Sequence, residues 1–133
     1  MPEDNFLLFL SPHPMQYVDG FLVPIAKKNL KAYRRMAQWG KKSWMKHGAL
    51  DYKECVGDDL KNTMGVAFPK VLKLKPGETV ILAYIVFTSR KHRDSVNKKV
   101  MSDPAMNDPA MMKNMPFDVK RMVYGGFKAI VEA

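Results

Sequence analysis

The run Thr79–Phe87 (TVILAYIVF) is apolar at almost every position. It is far shorter than the ~20 residues a membrane span needs. A strand that is apolar on both faces needs cover on both, which places it in the centre of a sheet. A chain built around such a strand must supply helices for one face and something else for the other.

The flanking segments supply the helices. Tyr17–Val23 is rich in aromatic and branched residues and ends at Pro24, the pattern of a strand. The period then changes: Ala26, Leu30, Tyr33, Ala37, Gly40 and Trp44 recur at spacings of four and three. That is the apolar stripe of a helix running to about His47 and stopped by Gly48. Leu50–Val56 reads as a second strand and Val66–Leu74 as a weak edge strand broken at Pro69. After Thr79–Phe87, Thr88 or Ser89 caps a second helix with Val96 and Val100 on its inner side. Asp103-Pro104 and Asp108-Pro109 each start a helical turn. Val123–Val131 closes the chain as a strand, with Gly125 and Gly126 marking a bulge or close contact.

The order β-α-β-(β)-β-α-β gives an α+β fold, a ferredoxin-like antiparallel sheet with both helices on one face. The other sheet face keeps its apolar residues, so a homodimer that packs sheet against sheet is expected. Residues 1–14 hold three prolines and no usable periodicity and read as an N-terminal extension; residues 15–133 read as one domain.

The net charge is +9, and its distribution is uneven. Lys27, Lys28, Lys31, Arg34, Arg35, Lys41, Lys42 and Lys46 fall opposite the apolar stripe of the first helix, and no acid occurs between Asp19 and Asp51. This invites an RNA or other polyanion partner. No RNP, KH or helix-turn-helix pattern is present, so a nucleic-acid partner is not the leading expectation. One cysteine, Cys55, allows no internal disulfide and fits a cytoplasmic setting. No signal peptide, membrane segment, zinc spacing or phosphate-binding loop is recognisable, and neither a metal nor a cofactor is expected.

The candidates for chemistry are polar groups on apolar faces. Asp19 lies between Tyr17 and Phe21, and Glu54 shares a strand face with Tyr52 and Val56. Such carboxylates are either paired or shifted in pKa. Asp19, His47, Tyr52, Glu54 and Asp118 are the acid–base candidates. Arg93 and Arg121 would hold an anion or orient carboxylates, with Tyr84 and Phe117 as apolar walls. The bland alternatives are that arginines simply neutralise the acids and that His47 caps the helix C-terminus. Six late methionines (Met101, Met106, Met111, Met112, Met115 and Met122) suggest an adaptable cover over a pocket.

Met15–Phe21 (MQYVDGF), His47–Tyr52 (HGALDY), Glu54–Asp59 (ECVGDD), Ser89–Asp94 (SRKHRD) and Met115–Phe127 (MPFDVKRMVYGGF) together resemble the YbaA-like bacterial family. The resemblance covers about residues 15–133. It implies a dimeric α/β-barrel fold and supplies no activity. Relatives in that superfamily include cofactor-free monooxygenases, haem-degrading enzymes and small isomerases, whose ligands often sit between helices and sheet. The function expected is therefore binding of a small organic molecule, with a cofactor-free oxygenase or isomerase as its catalytic form. The alternatives are polyanion binding through the first helix and a non-catalytic structural or stress-related dimer. A pocket of ~300 Å3 or more is anticipated. Deleting residues 1–14 is expected to leave the melting temperature nearly unchanged in a calorimetric comparison with the full chain.

Overall fold

The computed structural model describes residues 15–133. Residues 1–14, among them His13, lie outside the described residues. Four strands form one antiparallel sheet: β1 (Tyr17–Ala26), β2 (Asp51–Val56), β3 (Glu78–Phe87) and β4 (Val123–Lys128), in the spatial order β2-β3-β1-β4. Helix α1 (Leu30–Lys46) links β1 to β2, and α3 (Arg90–Met101) comes after β3. Two short helices, α2 (Phe68–Val71) and α4 (Pro109–Lys113), punctuate the long connections. This is the ferredoxin-like arrangement that the pattern of periods predicts, with β3 central.

Alternation sorts the sheet's residues. Tyr17, Asp19, Phe21, Val23 and Ile25 of β1 pair with Phe87, Ile85, Ala83, Ile81 and Thr79 of β3. Tyr52 and Glu54 of β2 stand opposite Ile85 and Ala83 on the same face. The helices cover this face and divide its core in two. One cluster gathers Val23, Ile25, Tyr33, Ile81 and Ala83; the other gathers Ala49, Ile85, Phe87, Val96 and Val100.

The helix ends obey their caps. The Ser89 hydroxyl accepts from the backbone N–H of His92 at 3.0 Å. Asp103 and Asp108 accept from Ala105 and Ala110 N–H. Gly48, at φ +114°, ends the α1 connection in a conformation that L side chains rarely adopt.

Three local expectations are corrected. Val66–Leu74 is not an edge strand: Pro69 sits in the first turn of α2, where its missing N–H costs nothing. Strand β1 does not stop at Pro24 but runs to Ala26. Its pairing with β4 ends at Leu22, so Pro24 lies where β1 has lost one neighbour and a ladder donor can be spared. Strand β4 stops at Lys128 instead of Val131. Gly126 does mark a close contact: a Cβ there would fall 2.8 Å from the Tyr17 ring.

The second sheet face is open. Leu60 and Phe68 share a hollow with Leu22, Val80 and Leu82 on it. Leu82, Val123 and Phe127 remain 48%, 48% and 62% exposed.

An ion pair ties the start of β3 to the turn before β4. Arg121 donates through both terminal nitrogens to Glu78 at 2.7 and 2.9 Å. Arg121, helped by the Lys75 backbone N–H, lowers the Glu78 pKa to about 2. A carboxyl depressed on folding adds stability above its unfolded pKa and loses it as the pH falls toward the folded value. The stability advantage of the parent over Glu78→Gln should therefore be complete above about pH 4.5 and shrink steadily toward pH 2, as read by urea unfolding at a series of pH values.

Candidate functional site

Between α1 and the helix-covered face of the sheet lies a hollow of about 220 Å3. Its lining stems from the two periods. The α1 stripe contributes Tyr33, Met36, Ala37, Gly40 and Trp44, while β1, β2 and β3 contribute Phe21, Tyr52, Glu54 and Ala83 among others. Met106, Met111, Met112, Met115, Phe117 and Met122 close it from the segment after α3. The volume is below the pocket size anticipated from the sequence. It exceeds the ~150 Å3 that suffices for benzene in an engineered apolar cavity.

Glu54 is the one charged residue among the described lining residues. The Tyr33 hydroxyl donates to its Oε1, and the Tyr52 hydroxyl donates to its Oε2 at 2.5 Å. Burial, together with the neighbouring carboxylate, drives both phenol pKa values far above the ordinary range. Both hydroxyls therefore stay protonated and act as donors. A carboxylate offers about four lone-pair positions; the tyrosines occupy two, leaving room for a further donor.

Gly40 gives this geometry room. A Cβ at that position would lie 3.0 Å from the Tyr52 hydroxyl and 3.5 Å from the Trp44 ring. Glycine inside a helix costs roughly 0.5–1 kcal/mol relative to alanine, and here it admits the tyrosine. Phe117 meets Tyr33 edge to face, 5.7 Å between centroids. Its strap is pinned by the Asn29 side-chain amide, which donates to the Pro116 carbonyl at 3.0 Å.

The hollow thus brings together Tyr52, Glu54 and Phe117 from the sequence-derived candidates. The others lie elsewhere. Asp19, 1% exposed, accepts from Arg93 at 2.7 Å. Burial pushes its pKa up, opposed by Arg93, Asn97 and Tyr124. Arg93 also donates to Tyr124 and Asp94 and stacks over Tyr17. His47 sits at the end of α1 and meets Asp103 at 3.0 Å, as does the Ser43 hydroxyl. Backbone capping of Ala105, with His47 and Ser43, holds the Asp103 carboxyl below its usual range. Asp118 caps a single turn, accepting from Lys120 N–H. Arg121 is engaged by Glu78. Tyr84 stands on the open sheet face, near Lys53. His92 accepts from the Thr88 N–H through Nδ1.

Sequence reasoning assigned Tyr33 only to the apolar stripe. The available signal was a hydroxyl on that stripe, facing a strand that carries an acid. Among the described residues, no group of three or more His, Cys, Asp or Glu is placed to hold a metal ion, and no helix is long and apolar enough to cross a membrane.

Comparison with known proteins places this chain in a family. A solved dimeric ferredoxin-like protein from an uncultured marine organism superposes over 90% of this chain and 99% of its own, with a TM-score of 0.56 and 9% identity, a likeness of fold. The uncharacterized protein YbaA of Escherichia coli strain K12 is 38% identical over 118 residues, covering 89% of this chain and 99% of that protein. YbaA of Shigella flexneri matches to the same extent. The model of a family described as protein of unknown function (DUF1428) matches residues 16–119, and the chain belongs to that YbaA-like family.

Proposed function

We propose that this protein binds a small, predominantly apolar organic molecule in the hollow between α1 and the sheet, with Glu54 as its polar anchor. The observation that carries this reading is one carboxylate, held by two neutral hydroxyls, in a wall otherwise made of methionine, aromatic and aliphatic side chains. Ligand sites combine such apolar walls with a few convergent polar groups. The volume suits one ring or a short chain bearing a single N–H or O–H donor, or a cation.

In the catalytic form of this reading, Glu54 takes a proton from the bound molecule and returns it at another atom, the chemistry of a cofactor-free isomerase. A cofactor-free oxygenase would use the same proton removal and take dioxygen as co-substrate. The anchoring hydroxyls of Tyr33 and Tyr52 support the carboxylate as acceptor in either case.

A panel of single-ring and short-chain amines, phenols and amides, screened by thermal shift and by Trp44 fluorescence, tests the binding. At least one class is expected to raise the melting temperature. Glu54→Gln keeps the shape and removes the charge. It should weaken that compound roughly tenfold or more, the worth of one charge-assisted hydrogen bond at about 1.5–3 kcal/mol. Equal affinity in Glu54→Gln, or no stabilising compound, would overturn the reading.

We further propose that two copies pair through the open sheet face. Support comes from the exposed Leu82, Val123 and Phe127 on that face and from the marine fold relative, a protein described as dimeric. Sedimentation of the full chain should give twice the monomer mass at micromolar concentration, and Phe127→Glu with Leu82→Lys should give the monomer.

A further inference from the structure

The basic face of α1 takes no part in the hollow or the sheet. Its residues Lys31, Arg35, Trp39, Lys42 and Lys46 are all exposed. At 100° per residue they fall within one narrow stripe. From Lys31 to Lys46 the stripe is about 22 Å long, at a rise of about 1.5 Å per residue. Ion pairs among the described residues involve His47, Lys53, Arg93 and Arg121, and none involves a cation of this stripe. Trp39 stands in the middle of it, 52% exposed. Beside it runs a groove of about 300 Å3 lined by Trp39, Lys42, Ser43, Lys46, Asp103 and Ala105. The acid in this groove, Asp103, is 8% exposed and already accepts from Ser43, His47 and the Ala105 N–H.

We infer that this stripe is a binding surface for single-stranded nucleic acid, with Trp39 as the platform for an unpaired base and Lys31, Arg35, Lys42 and Lys46 as contacts to phosphates. Two observations select the partner. Unpaired cations spread along the stripe match a polymer of negative charges better than a single anion. An indole lying among them matches a chain whose flat rings are free to stack, the pairing that non-specific single-strand binders use. A lipid surface fits less well. An interfacial helix must offer its apolar face to the bilayer, and the apolar face of α1 (Tyr33, Met36, Ala37, Gly40 and Trp44) already lines the hollow above the sheet.

The test uses the full chain and a short fluorescein-labelled oligouridine, monitored by anisotropy. Four phosphate contacts on a single strand predict an affinity that falls roughly 50-fold between about 50 and 200 mM salt. Trp39→Ala should lower affinity about fivefold or more, the effect of losing one base stack. Lys42→Glu with Lys46→Glu should abolish binding, whereas Lys61→Glu with Lys70→Glu, the same charge change away from the helix, should leave most of it. In a Trp44→Phe background Trp39 is the only tryptophan, and oligouridine should quench its emission. Circular dichroism and the melting temperature of each variant separate loss of binding from loss of fold. The inference is overturned by absence of binding at low salt, by equal losses from the two charge-reversal pairs, or by an unaffected Trp39→Ala. Duplex DNA binding as tightly as the single strand, or binding to phosphatidylserine vesicles and not to oligouridine, would overturn it equally.

Discussion

Glu54 stands on the helix-covered face of the sheet with no ion-pair partner among the described residues, and its bond from Tyr33 ties α1 to the sheet. An ionised carboxyl is tolerated in such a wall only with hydrogen-bond donors to spread its charge. One donor, Tyr33, comes from α1; the other, Tyr52, comes from the same strand two residues away. The bond from Tyr33 therefore fixes the height and rotation of the helix over β2. Gly40 suits that height, because a Cβ there would sit 3.0 Å from the Tyr52 hydroxyl, which would have to give way by a few tenths of an ångström. The hollow is a consequence of it. The helix is held at Glu54 by a polar contact, and the space beside that contact is closed by side chains of the long segment after α3 in place of the sheet itself.

The second acid of this face shows the alternative solution. Asp19 meets a guanidinium at 2.7 Å. Its charge is cancelled where it stands, and the surrounding Tyr17, Tyr124 and Asn97 complete a closed cluster. Glu54 receives only the two tyrosine hydroxyls, with no cationic partner among the described residues. Two carboxylates on one apolar face thus divide into one that joins helix α3 to the sheet by an ion pair and one that joins α1 to it by a neutral hydroxyl.

Much of this was legible because strand alternation is local information. Tyr52 and Glu54 share a face by their spacing alone, and the central place of β3 comes from its two apolar faces. The stripe of α1, its stop at Gly48 and the caps at Ser89, Asp103 and Asp108 are equally local. What the pattern could not carry was pairing at a distance. Tyr33 joins Glu54 across 21 positions, and Asp19 joins Arg93 across 74. An acid that caps a turn, such as Asp118, has the same local signature as an acid in a pocket. Pro69 misled for a related reason. A proline that breaks a strand and a proline that opens a helix differ only in the residues after them, and α2 is a single turn.

The thioethers around the hollow give the wall a chemical vulnerability that leucines would not. A methionine sulfur can take up one oxygen atom and become a polar, chiral sulfoxide, a change that reductases reverse. Six methionines line the same small space. An oxidant that reached them would make this lining polar without touching Glu54, and the apolar character of the wall would fall with each oxygen atom added. Peroxide would thus turn this wall polar one thioether at a time, and reduction of the sulfoxides would restore it.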